Sequence, residues 1–287
     1  MDTYKIGDIL LHWDSEYTLA PGRFMELFRH ENTCGENDIY LKGRIEPLEQ
    51  YTAYPLLESK GVYDLYDVNG ERLLLYHWGY HRNAYGVWVS RIQQSRADAC
   101  SFDPRILDSE PIHADWFLGV CGLQKALLQR GCPVLHASFV EHKGQAILFT
   151  APSETGKSTQ ANLWRKHAGA RIINGDRVLL GRRGDTWYAH GFPACGSSNI
   201  CENRSVPLGA IVVLSQSKEN RVIPMPAAQK IKSLVSGMVL YAWNGPDLDM
   251  TLELAQDIAN KIPIVQLACR PDKEAVDVLG QYLENMK

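Results

Sequence analysis

The stretch Ala151-Pro-Ser-Glu-Thr-Gly-Lys-Ser158 constrains this chain more than any other part of it. A short apolar run, Ala146 to Thr150, leads into it, and a helical pattern from Ser158 to His167 leads out, with Gly169 placed to end the helix. Glycine, lysine and serine in succession between a strand and a helix form the phosphate-binding loop pattern, here with Ala151 in place of the usual first glycine. Backbone N–H groups of such a loop converge on phosphate oxygens, and the positive end of the following helix reinforces them. Ser153, Glu154, Thr155, Gly156, Lys157, Ser158 and Thr159 are therefore expected to cradle the phosphates of a nucleotide. Lys157 would bridge the β- and γ-phosphates, and the Ser158 hydroxyl would hold Mg²⁺. Glu154 stands where many such loops carry glycine and adds a carboxylate close to an anionic ligand.

Around the loop, strand and helix patterns alternate. Val134 to Val140, Ala146 to Thr150, Arg171 to Asn174, Ala210 to Leu214 and Val265 to Leu267 read as strands. Helices are expected at Ala114 to Arg130, Ala227 to Val235, Thr251 to Asn260 and Lys273 to Leu283. Mixed in this way, they indicate an α/β core. The region before about Arg105 reads differently, as short β runs split by turns: Val62 to Val68, Arg72 to Trp78 and Tyr85 to Val89. Asn69-Gly70 between the first two is a hairpin signal, because both central residues of that turn take positive φ. Cys100 to Pro111 reads as a linker or crossover, so the expected organisation is a β-rich region over residues 1–110 and a nucleotide-binding core over 111–287.

Composition removes several classes of function. The 287 residues are 45% hydrophobic and 22% charged, with a formal net charge of -3. That is a globular composition, without the basic surplus that nucleic acid or an anionic membrane would call for. Aromatics interleaved with His77, His81 and Arg82 suit a sheet core better than a base-stacking platform. No apolar run reaches the roughly 20 residues that span a bilayer, and the acidic start of the chain reads as no export signal. The seven scattered cysteines include no Cys-x-x-Cys pair, so reduced thiols and a cytoplasmic setting are expected. Cys195 and Cys201 match no common metal spacing.

A phosphate loop needs an acid beyond the next strand to position metal or accept a proton. Asp176, in Ile172-Ile173-Asn174-Gly175-Asp176, is placed for it, although Asn-Gly-Asp is also turn chemistry. His136, in Leu135-His136-Ala137-Ser138, lies one strand upstream of the loop and on its own reads as structural.

Together, LHAS around His136, ILFTAPSETGKST (Ile147 to Thr159), RIINGDRVLL (Arg171 to Leu180), HGFPACG (His190 to Gly196) and ENRSVPLGAIVVL (Glu202 to Leu214) resemble the HPr serine kinase/phosphorylase and phosphoenolpyruvate carboxykinase superfamily. The likeness is greater to its branch of small HPr-kinase-like bacterial kinases and runs from about Trp116 to Val235. It implies a P-loop-containing, carboxykinase/HPr-kinase-like α/β core and gives His136 a part in the phosphate and metal site. It also implies catalytic roles for Asp176, Lys157 and Arg204, with Ser158 and Asp176 on the metal. HPr kinases usually carry two adjacent acids where this chain has Gly175-Asp176.

The resulting expectation is an ATP- and Mg²⁺-dependent kinase acting on a hydroxyl of a small molecule or peptide other than HPr. The acceptor would sit between the loop and the segment His190 to Ile200. Neither nucleic acid nor membrane is an expected partner, and assembly into a homo-oligomer is open. A nucleotide-binding regulator or tailoring partner without turnover is the alternative, and carboxykinase chemistry is a weaker third.

Overall fold

The computed structural model describes residues 2–15, 22–31, 38–47, 49–60, 63–78, 83–90, 97–102, 122–152, 155–238 and 245–286. The chain divides into two compact units, Met1–Ala126 and Leu127–Lys287. The expected junction near residue 110, and the first eight residues of the helix expected over Ala114 to Arg130, lie outside the described residues. Within them that helix is the short α1 (Leu123–Leu128).

The first unit is β-rich. Its strands are β1 (Asp2–Ile6), β2 (Ile9–Ser15), β3 (Ile39–Ile45), β4 (Leu56–Lys60), β5 (Tyr63–Val68), β6 (Glu71–Trp78), β7 (Asn83–Ser90) and β8 (Ala97–Phe102). They form one sheet in the order β1-β2-β3-β8-β7-β6-β5-β4. The β5–β6 hairpin turns on Asn69 and Gly70, whose φ values of 55° and 84° are both positive, as a two-residue hairpin loop of this kind requires. Tyr66 packs with Leu73 and Leu75 in a small core. Cys100 to Phe102, expected as linker, instead extend β8 alongside β3, where Gly43 faces Cys100 and Ile45 faces Phe102. The side chains of His77, Trp78, Tyr85 and Trp88, and all of residues 79–82, lie outside the described set.

The second unit is a mixed α/β layer structure. Its strands are β9 (Val134–His142), β10 (Gln145–Thr150), β11 (Arg171–Asn174), β12 (Arg177–Arg183), β13 (Thr186–Gly191), β14 (Ser205–Gln216), β15 (Arg221–Pro224) and β16 (Ile264–Cys269). Its helices are α2 (Lys157–Ala168), α3 (Ala227–Gly237), α4 (Gly245–Lys261) and α5 (Lys273–Glu284). Two long strands change neighbours along their length. The start of β9 pairs with β12 and the rest with β10. The start of β14 pairs with β13, and its later residues run parallel to β10 and β16. Strands β10, β9, β12, β13 and β14 thus close on themselves as a small barrel-like sheet.

Burial on both faces explains the unbroken apolar runs of β10 and β14. Ile147 and Phe149 of β10 meet Trp164 of α2 and Leu279 of α5 on one face. Ala146 and Leu148 meet Leu234 of α3 and Ile258 of α4 on the other.

Candidate phosphate-binding and acid site

Helix α2 begins at the residue where β10's loop runs out. Gly156 precedes it with φ 115°, a conformation that an L side chain rarely adopts, so glycine there is set by the backbone. Gly169 ends the helix with φ 66°. Lys157 opens the helix and is 8% exposed. Its Nζ donates to the carbonyls of Ala151 at 3.0 Å and Pro152 at 3.4 Å. Burial pushes the Lys157 ammonium down from its usual range, and the charge of Asp176 opposes that shift. Among the described residues its hydrogen bonds go to these two carbonyls, and a buried cation held in this way favours an anion beside it. Ser158 and Thr159 are exposed at the same helix end, and Thr155 is half-buried beside them. Ser153 and Glu154 lie outside the described residues.

Asp176 and His136 come together. His136 Nε2 lies 3.0 Å from Asp176 Oδ1. Arg177, the next residue, approaches the other carboxylate oxygen at 3.5 Å and faces His136 across the β12–β9 ladder. The hydrogen bond from His136 holds the Asp176 carboxyl below the usual carboxylate range; burial opposes this, and Arg177 and Lys157 support it. Asp176 is therefore an anion at neutral pH, within electrostatic reach of Lys157.

The turn presenting Asp176 is built by Asn174, which is fully buried. Its Oδ1 accepts from the amides of Asp176 at 2.8 Å and Arg177 at 3.0 Å. Its Nδ2 donates to the carbonyls of Phe192 at 2.6 Å and Ala194 at 3.3 Å. Turn chemistry and an ionised carboxylate thus coexist in Asn-Gly-Asp, on different residues. Ser138 donates to the carbonyl of Gly175 at 2.9 Å, and Thr150 to that of His136 at 3.1 Å, locking the three strand ends together.

Gly175 is glycine because of a close approach. A Cβ there would lie 2.0 Å from Ser198 Oγ and 2.2 Å from Ser198 Cβ, so the space of a second acid is already filled. The segment between β13 and β14 does reach the site: a Cβ on Gly196 would come within 3.0 Å of the Asp176 carboxyl carbon. His190 itself turns elsewhere, its Nδ1 2.7 Å from Ser205 Oγ.

Arg204 does not join this group. Its Nε lies 2.6 Å and its terminal nitrogen 2.8 Å from the two oxygens of Glu141. Glu141 is five residues beyond His136 on β9, about 17 Å along an extended strand. Glu141 pairs with Ala146 at the start of β10, whereas the loop leaves β10's other end. Arg177 is the guanidinium beside the acid. Its place in the sequence directly after Asp176 was the available signal.

Two cavities flank the loop. One, of about 440 Å³, is lined by His136, Thr150, Ala151, Pro152 and, from α3, Lys232 and Ser233. Nothing in the local sequence connects α3 with the loop. The other, of about 430 Å³, is lined by Thr155, Gly156, Thr159 and Gln160 together with residues at the ends of β14 and β16.

The donors suit Mg²⁺, which takes hard oxygen ligands and keeps most of its shell as water and phosphate. The Ser158 hydroxyl and the Asp176 carboxylate are of that kind. Among the described residues no cluster of three or more His, Cys, Asp or Glu would hold a metal from the protein alone. Cys132, Cys195, Cys201 and Cys269 form no disulfide, and Cys201 Sγ donates to the Phe192 carbonyl at 3.1 Å. In the first unit, His12 joins Asp38 at 2.8 Å and Thr3 at 3.1 Å, but at 1% exposure it reads as a core network.

The chain belongs to the family described as SynChlorMet cassette protein ScmC, whose model matches residues 115–275. Among solved structures it is similar to that of the Hpr(Ser) kinase/phosphatase from Coxiella burnetii, at 12% identity and a TM-score of 0.31, over 53% of this chain and 97% of that one. No curated protein matches it. Among the described residues no helix is long and apolar enough to cross a membrane.

Proposed function

We propose that this chain is an ATP-dependent kinase that transfers a phosphoryl group to a hydroxyl of a small molecule or peptide. The observation that carries the reading is the convergence of Lys157, at the head of α2, with the His136–Asp176 pair at 3.0 Å. Phosphoryl transfer asks a protein mainly for positioning and for charge where charge develops. Lys157 and the open amides of α2 would hold the phosphate chain. The Arg177 guanidinium suits the charge spread over the equatorial oxygens. Mg²⁺, held by Ser158 and Asp176, would neutralise phosphate charge.

The acceptor would enter by the cavity that His136 and Lys232 line. Its oxygen bonds to the γ-phosphorus as the bond from that phosphorus to the β,γ-bridging oxygen breaks, and ADP leaves. The hydroxyl proton passes to the His136–Asp176 pair. Because Asp176 is held ionised, its part is to orient and neutralise more than to act as a strong base.

The filled space at Gly175, which leaves one acid, favours the second reading: a nucleotide-binding regulatory partner without turnover. Asp176→Asn separates the two. For a kinase, phosphoryl transfer from labelled ATP across a metabolite and peptide panel falls at least a hundred-fold while nucleotide affinity changes less than ten-fold. Tight Mg·ATP binding with no ADP released by the unaltered chain on any acceptor supports the regulator instead.

A further inference from the structure

The two flanks of the loop are chemically unlike. The flank with His136 and Asp176 is where transfer would occur, so the terminal phosphate points there. A linear phosphate chain laid across the loop then carries its nucleoside out on the opposite flank, where the cavity of about 430 Å³ shares Thr155, Gly156 and Thr159 with the loop. That volume lies within the roughly 300–1,000 Å³ of small-molecule sites. Leu214 and Pro271 give it apolar wall.

Gln160, one turn into α2, lines the same cavity and is 2% exposed. Its Nε2 donates to Cys269 Sγ at 3.2 Å, while its Oε1 is buried with no hydrogen-bond partner. A buried acceptor left unmatched is destabilising, and a donor from a ligand would remove that cost. The terminal amide torsion of glutamine is broad, so a base in the cavity would draw Oε1 toward it by turning the amide away from Cys269. Arg270, the cation of this wall, is already held by Asp272 and Glu274.

We infer that this cavity is the nucleoside subsite and that Gln160 reads an adenine base, its Oε1 accepting from the exocyclic amine. The inference rests on the proposed phosphate loop but assigns the choice of base to residues outside it. Inosine is the discriminating probe, because it replaces that amine with a carbonyl and sets acceptor against acceptor.

The test is calorimetric titration of the full chain with adenosine, inosine and inorganic tripolyphosphate, none of which needs turnover. Adenosine is expected to bind at least ten-fold more tightly than inosine. Gln160→Leu should abolish that difference while tripolyphosphate affinity stays unchanged. If the variant does not fold, the adenosine–inosine ratio on the unaltered chain decides alone. Equal binding of the two nucleosides, or binding of neither while tripolyphosphate binds, overturns the subsite and leaves the phosphate loop standing. Adenosine selectivity without tripolyphosphate binding supports the subsite and sinks the kinase reading. No binding of any probe overturns both.

Discussion

Lys157 holds its charge under a burial penalty, with two carbonyls as partners. An anionic phosphate would relieve that penalty, so the residue should matter more to ligand than to fold. Lys157→Ala is expected to weaken tripolyphosphate or ATP binding at least ten-fold while lowering stability by about 1.5–3 kcal/mol, the scale of hydrogen bonds lost to a charged donor. Titration and thermal melting of the same preparations check both. Unchanged affinity in a folded variant would remove Lys157 from the site. Gly175 makes the opposite case, a residue chosen by the fold. Gly175→Asp places a Cβ on Ser198, and overpacking of this kind costs about 1–3 kcal/mol or more. The variant is expected to melt earlier and to gain no activity on any hydroxyl acceptor. A folded Gly175→Asp with raised turnover would show that the missing second acid, and not the Ser198 contact, explains the glycine.

Strand β9 carries two ion pairs with different work. Near its start His136 meets Asp176, while near its end Glu141 accepts from two of the three guanidinium nitrogens of Arg204. The second pair ties β9 to the residues entering β14 and has no place near the loop. Arg204→Gln is therefore expected to leave nucleotide binding and turnover within two-fold and to cost less than about 1 kcal/mol, the usual worth of a surface pair. Arg204 holds the Glu141 carboxyl below its usual range, so the pair's stabilisation is present above the unfolded carboxylate value, near 4.3, and fades as pH falls through the depressed one. Melts of the two proteins between pH 7 and about pH 3 should converge at the acid end. A gap that stays constant with pH would mean that Arg204 stabilises by packing alone, and a large loss of turnover would return it to the site.

At the scale of the whole molecule, β10 and β14 lie at the centre of the second unit, covered by α2 and α5 on one face and by α3 and α4 on the other. Amides such as those of Leu148 and Val212 are expected to exchange with solvent slowest, at rates set by global opening, while the edge strand β15 exchanges far sooner. Exchange at Val212 as fast as at Val222 would show that the barrel-like closure contributes little. Much of this architecture was legible residue by residue. Arg171 to Asn174 forms a strand with the bounds its pattern indicates, Gly169 stops α2 in a left-handed conformation, and Asn69-Gly70 turns its hairpin. These features depend on neighbours within a few positions, where side-chain periodicity and backbone freedom act directly. The lysine-headed helix after β10 was legible for the same reason. Which distant groups meet was settled only by tertiary structure. Arg204 faces Glu141 and not the loop, Arg177 faces His136, Ser198 fills the space beside Gly175, and Lys232 and Gln160 line opposite cavities. Those contacts follow from strand order and register, and a slip of one residue would send each side chain to the other face of its sheet.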